Sequence, residues 1–400
     1  MNRILDIANV NVFDDAIIEE QYHCHTPYSS NSFNNNDEIR IPVHQQDVYT
    51  LPGKSSLLIE GKILKSNGTD DTTTQLINNA MSFLFEEIRY ELCGTELDRV
   101  KNVGITSTIK NILTARPGDV NLLNNAGWNM PSTSDLTDKT TFSYVIPLKL
   151  LLGFADDYDR ILLNVKQELV LLRASSDKNA IVQSAGSLQD CKVSITKIVW
   201  RMPYVRVNDE IRLSLLRATD SDRPITLHFR RWELHERPSL PSSTFQIWTV
   251  KTSSFIEKPR YVIVGFQTDR KDKATKIASH FDFCKLENVK LYLNSKYYPY
   301  ENLNGCKAVL YDMYSKFQSS YYKGCDDQPC LDRDTFLNKT PLFVIDCSQQ
   351  EETLKTGALD VRLEIQTSEN IPDNTTAFCL IIHDAEVKYS PLSGIVRRIM

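Results

Sequence analysis

The chain has 400 residues, 41% of them apolar and 24% charged, with a formal net charge of −5. A length of this order predicts two domains and a core large enough to stand without metals or disulfides. The acidic balance excludes the basic excess of a strongly nucleic-acid-binding chain. No run approaches the roughly 18 apolar residues that cross a membrane, since the densest stretch, 145–154, is broken by Pro147 and Lys149.

The first 35 residues read as an N-terminal arm. Among the first forty, only Arg3 and Arg40 are fixed cations, against Asp6, Asp14, Asp15, Glu19, Glu20, Asp37 and Glu38, so the arm is not a basic one. The opening MNRILDIANVNVF lacks the continuous apolar run of a signal peptide. The nine cysteines are then expected as scattered, reduced thiols, and the sequons at Asn67, Asn338 and Asn374 as unused.

Beyond the arm the dominant period is two. Ile88, Tyr90 and Leu92 alternate with Arg89 and Glu91, and Val361, Leu363 and Ile365 with Arg362 and Glu364. Successive strand side chains point to opposite faces, so this pattern describes strands buried on one side. Strands are expected at 55–66, 85–92, 95–98, 142–151, 161–173 and 191–203. A second series follows at 225–234, 244–252, 260–269, 288–293, 296–300, 341–347, 359–367 and 376–389. Around Arg230-Arg231 the alternation slips by one residue, which predicts a β-bulge. Two helices are expected, one over 105–114 from the stripe Ile105, Ile109, Ile112 and Leu113, and one over 307–322.

The order of elements repeats. Each half runs through a strand, a tight turn (Cys93-Gly94, then Asn294-Ser295), a short strand, a helix and three more strands, with an offset of roughly 185–205 residues. The predicted fold is therefore all-β: two tandem eight-stranded jelly rolls, each with a short inserted helix and each closing its own apolar interior. Residues 36–210 form the first and 211–400 the second, with the junction in 204–224. Jelly rolls recur in viral capsids, lectins and cupins.

Catalytic and metal motifs are mostly missing from the sequence. LPGKSS lacks the first glycine of a phosphate loop, where Val48 stands. His280-Phe281-Asp282 with the distant His383, and then Arg397, carries the residue types of a non-haem iron triad, but the segment reads as a loop. His23, Cys24 and His25 are adjacent, so on an extended chain at most two reach one metal. Cys325 and Cys330 are spaced too widely for a zinc knuckle, although a disulfide between them is open. Asp156-Asp157 and Asp326-Asp327 read as solvated turns. No cofactor and no enzymatic activity is expected.

The runs DEIRIPVHQQDVYTLPGKSSLLIEGK, FLFEEIRYELCGTELDRVKNVGITSTIK, PLKLLLGFADDYDRILLN, KIVWRMPYV, EKPRYVIVGFQTDRK, NVKLYLNSKYYPYENL and LYDMYSKFQSSYY resemble double jelly-roll major capsid proteins of Polinton/Maverick-type elements and invertebrate DNA viruses. The resemblance spans about residues 36–398. It implies a homotrimer of pseudo-hexagonal outline that tiles an icosahedral shell around a viral genome. Its partners would be penton and minor capsid proteins, and its location the virion, assembled inside the host cell, in the nucleus. A capsid-derived host protein that no longer assembles is an alternative, as is a jelly-roll enzyme or carbohydrate-binding module. Tyr297, Tyr298, Tyr300, Tyr321 and Tyr322 are candidate intersubunit contacts, because tyrosine offers a large contact area with a polar tip; the alternative is that they line the sandwich interiors. Arg230, Arg231, Arg397 and Arg398 are candidates to face packaged nucleic acid through weak phosphate contacts.

Overall fold

The computed structural model describes residues 16–28, 33–43, 49–129, 136–137, 141–163, 165–184, 186, 188–253, 259–294, 296–322, 326–349 and 359–399. The first half contains β1 (Ile17–His25), β2 (Glu38–Val43), β3 (Ser56–Lys65), β4 (Phe85–Leu92), β5 (Thr95–Lys101), β6 (Thr141–Pro147), β7 (Gln167–Arg173) and β8 (Cys191–Val207). The second contains β9 (Ile225–Arg237), β10 (Phe245–Ser253), β11 (Pro259–Thr268), β12 (Leu286–Leu293), β13 (Lys296–Tyr298), β14 (Phe343–Asp346), β15 (Leu359–Thr367) and β16 (Thr375–Tyr389). A further strand, β17 (Val396–Ile399), extends the last sheet beside β16.

In the first half the sheets run β1-β8-β3-β6 and β2-β7-β4-β5; in the second they run β9-β16-β11-β14 and β10-β15-β12-β13. Numbered one to eight within each half, both orders are 1-8-3-6 and 2-7-4-5. This is the double Greek key of a jelly roll, built twice. Among the described residues no strand of one half pairs with a strand of the other.

Local chemistry explains the hairpins. Cys93 and Gly94 both take positive φ, 48° and 76°, as a two-residue turn matched to strand twist requires. Between the fifth and sixth strands of the first half lies α1 (Val103–Thr114), buried along its whole length. The second half inserts α4 (Lys307–Ser315) and α5 (Phe317–Tyr321) at the same point. The single helix expected over 307–322 is thus two, divided at Lys316.

Several expectations need correction. Residues 17–25, placed in the arm, form β1 and pair with β8 from Ile17 opposite Val207 to His25 opposite Trp200. Nearly every side chain of β1 is exposed, so backbone pairing holds it and no inward alternation marks it. The slip at Arg230-Arg231 is not a bulge, because β9 and β16 pair in unbroken register from Ile225–Tyr389 to Arg237–Ala377. The apolar phase changes there because both faces of β9 are covered, Phe229 burying on one side and Trp232 on the other. A helix, α3 (Asp209–Asp220), occupies the junction, its first turn capped by the Asn208 side chain accepting from the Ile211 amide. Its Leu213 and Leu216 are exposed, so it shows no buried stripe.

The two interiors also join. One apolar cluster runs through both halves, bridged where Phe154 packs edge-on against Phe229 with ring centroids 5.4 Å apart. The duplication survives this correction because the strand orders, and not the boundary of the core, define it.

Candidate interdomain and intersubunit surfaces

The seam between the halves is the most elaborate site in the chain. On the first-half side stand β5 and α2 (Gly153–Asp157). On the second-half side stand β9, α5 and β17. In its own sheet β9 is an edge strand, and α2 covers that edge. Asp157 Oδ2 accepts from the Arg230 backbone amide at 2.7 Å and from Arg230 Nε at 2.9 Å, and a third bond joins Arg230 Nη2 to Asp157 Oδ1. Arg230 Nη1 also donates to the Tyr321 carbonyl at 2.6 Å, and its guanidinium lies 3.3 Å from the Tyr321 ring centroid. Planar, bidentate and stacked contacts of this kind suit arginine and not lysine.

Around this pair the polar groups interlock. Arg231 Nη2 donates to the Leu97 carbonyl at 2.5 Å. Arg398 donates to Glu96 Oε1 at 2.7 Å and to the Glu96 carbonyl at 2.8 Å. Burial pushes the Glu96 carboxyl up, but the Arg398 hydrogen bond and the charges of Arg99, Arg398 and Arg231 outweigh it and hold it below its ordinary value. Asp98 behaves oppositely: its complete burial raises the carboxyl despite Arg231 and the amides of Phe154 and Arg99. Lys110, almost fully buried, pairs with Asp156 at 3.2 Å and lies over the Trp232 ring. Tyr322 donates to the same Asp156 at 3.3 Å; burial and this carboxylate push its hydroxyl up. A Cβ on Gly153 would sit 1.9 Å from the Arg230 carbonyl oxygen, so only glycine permits the halves to approach this closely.

This geometry reassigns several residues. Arg230 and Arg231 bind the first half and Arg398 binds Glu96, so these three are seam residues; Arg397 and Arg398 are exposed. Tyr321 is 3% exposed and packs inside the chain, whereas Tyr322 is half-buried. Tyr300 is 85% exposed and Tyr297 38%, with their rings stacked at 5.8 Å; Tyr298 is half-buried beside them. The pair Asp156-Asp157 is no solvated turn. Its partners lie 46 and 73 positions away at Lys110 and Arg230, so no local signal could have announced them.

The iron constellation does not assemble. Asp282 accepts from the Thr268 amide at one end of β11 and pairs with Arg270. His383 lies opposite Pro259 at the other end, and nine residues of strand separate these ends by about 30 Å. On β1, His23 stacks on Tyr204 with centroids 4.2 Å apart, and His25 Nε2 lies 2.9 Å from the Tyr204 hydroxyl. Gly53 packs its Cα against the Tyr158 carbonyl, which a Cβ would meet at 2.4 Å. Cys325 lies outside the described residues, and Cys330 is buried. Among the described residues no three metal-ligating side chains cluster, and no helix is long and apolar enough to cross a membrane. An open groove of about 1110 Å³ lies against the second half's outer sheet. Among its charged lining groups Arg260 pairs with Asp384 and Arg230 with Asp157, and His228 Nδ1 lies 3.9 Å from Glu386.

Two Greek-key sandwiches clasped through a buried ion-pair seam define a double jelly-roll protein. The chain belongs to the double jelly roll-like domain family, whose pattern matches residues 74–387. Among solved structures it is similar to a chain of the Sputnik virophage determined by cryo-EM, at TM-score 0.64 and 9% identity over 100% of this chain and 92% of that one. It is similar to PBCV-1 VP54 at TM-score 0.60 and 12% identity, covering 98% and 99%. The major capsid protein of mavirus aligns at TM-score 0.57 and 10% identity, covering 100% and 93%. No curated protein sequence matches.

Proposed function

We propose that this chain is a major capsid protein, a structural subunit that assembles with itself into the shell of a virion. One observation carries the reading. The two halves repeat one strand order and are fixed rigidly side by side by the Arg230–Asp157 seam. The whole chain also aligns with a chain of the Sputnik virophage, with a chain of the PBCV-1 virus capsid and with the mavirus major capsid protein. A chain holding two similar wedges can supply a near-six-fold tile as a homotrimer, and such tiles cover an icosahedral surface. Residues up to about 208 form one wedge, α3 links it to the next, and the second runs from β9 onward. Enclosed DNA would be met by weak contacts only, Arg397 and Arg398 being the exposed cations among Arg230, Arg231, Arg397 and Arg398. Penton and minor capsid proteins would complete the particle, and assembly would take place in the host nucleus.

The test is to express the whole chain and combine mass measurement in solution with electron microscopy. A trimer, with closed shells or sheets under some conditions, is expected. A monomer that turns over a small molecule would sink the proposal.

A further inference from the structure

We propose that Lys110 and Asp156 condense into an intramolecular isopeptide bond, so that the folded chain cross-links α1 to α2 by its own chemistry. The inference concerns atoms within one chain and stands apart from the shell reading.

The sequence sets a lysine where a lysine is costly. Lys110 lies on α1, which is buried along its whole length, and its side chain is only 2% exposed. A primary amine stripped of water in this way is a nucleophile. Asp156 Oδ2 stands 3.2 Å from Lys110 Nζ, and the Asp156 side chain is 10% exposed. The carbon to be attacked, Cγ, is one bond beyond that oxygen. Reacting atoms about 3–3.5 Å apart are poised for attack, and a small rotation of the carboxylate brings Cγ into that range.

Both groups are held from several sides. Nζ donates to the Lys149 carbonyl and lies 5.7 Å from the Trp232 ring centroid. Asp156 stands between two anchored residues of α2. The Phe154 amide donates to Asp98 Oδ2 at 3.0 Å, and Asp157 grips Arg230. The Tyr322 hydroxyl donates at 3.3 Å to Asp156 Oδ2, the oxygen that must leave. Groups fixed in this way react at effective molarities of up to about 10⁵–10⁸ M.

Beside the pair is a place for the product water. A cavity of about 40 Å³ is lined by Lys110, Asn111, Asp156 and Tyr322 among others, and roughly 10–15 Å³ of such space admits one water. Asn111 is 2% exposed. Its Oδ1 has no hydrogen-bond partner among the described residues, which makes it an acceptor for that water.

The step balances without a co-reactant. One proton passes from Nζ to Asp156 Oδ2 across their contact, leaving a neutral amine beside a neutral carboxylic acid. Nζ then attacks Cγ. The Nζ–Cγ bond forms and the Cγ–Oδ2 bond breaks. Oδ2 departs as water with two of the three ammonium protons, and the third stays on the amide nitrogen. Nothing is oxidised or reduced. Tyr322 is the catalytic residue, because its hydroxyl hydrogen-bonds the departing oxygen. The product replaces a buried ion pair by a neutral amide.

The test is the mass of the whole purified chain, measured denatured so that only covalent change registers. The parent is expected to be one water lighter than its sequence mass. A tryptic digest should contain a branched peptide joining Lys110 to Asp156, uncut after Lys110. Asp156→Asn keeps an electrophile but releases ammonia, so it should converge on the parent's cross-linked mass and give the same branched peptide. Lys110→Arg should keep its full sequence mass. Tyr322→Phe should slow the cross-link by about 10²-fold, read from masses sampled during expression. A parent chain at its full sequence mass overturns the proposal. So does one lighter by water without the branched peptide, as an aspartyl succinimide would be, or a Lys110→Arg chain that still loses water.

Discussion

Replacing Gly153 by alanine tests whether the two halves stand as one rigid unit. The added methyl would lie 1.9 Å from the Arg230 carbonyl oxygen and 2.9 Å from Trp232 Cδ1, where ordinary contact begins above 3.4 Å. A backbone oxygen cannot turn aside as a side chain can, so α2 must retreat from β9 by more than an ångström. A gap of that size forfeits a quarter to a half of each dispersion contact across it and pulls Asp157 from Arg230, a pair whose side chains are only 13% and 20% exposed. Separating a mostly buried pair costs about 3–5 kcal/mol. Unfolding entropy of ~2.1 cal/mol/K per residue sums to roughly 0.8 kcal/mol/K over 400 residues. The expected fall in Tm is therefore about 4–6 °C by scanning calorimetry, for unfolding as a single unit. Gly118→Ala is the control, since nothing lies within 4 Å of its added methyl. If Gly153→Ala melts with the parent, or Gly118→Ala falls as far, the close-packed seam is not what couples the halves.

Arg230→Met should destabilise the chain by about 3–5 kcal/mol, because it strands Asp157 in a mostly buried site; the double substitution Arg230→Met with Asp157→Leu should recover most of that in urea titrations. Glu96 has a folded pKa below its ordinary value of 4.5, so its contribution is present above that value and lost as pH falls through the folded one. Glu96→Gln should therefore flatten the acid limb of a Tm-against-pH curve, and an unchanged limb would count against the Arg398–Glu96 contact. His25 is held below its ordinary 6.5, first by burial and then by the nearby His23. The unfolded chain then binds the proton more readily, and stability declines as pH drops below 6.5 toward the folded value. His25→Gln should reduce that decline, measured as Tm at pH 7 and at pH 5.

The strands that pack one face inward declared themselves in sequence. At β4, Ile88, Tyr90 and Leu92 alternate with charged residues, and a half-buried strand leaves that trace whatever its partners. The repeat of element order followed from such strands and from the two-residue turns, which are local chemistry. The position of α1 followed likewise from one apolar stripe. Tertiary structure alone decided the rest. It turned β1 into a strand through backbone pairing to β8, which no side-chain pattern records. It brought Asp157 to Arg230 from 73 positions away, so carboxylates that read as a solvated turn became the anchor of the seam. It also sorted the tyrosines, Tyr321 inward and Tyr300 outward, although both stand in aromatic runs of similar composition. Periodicity reports which face of an element is buried; what covers that face depends on how distant segments meet, and a one-dimensional pattern holds no record of it.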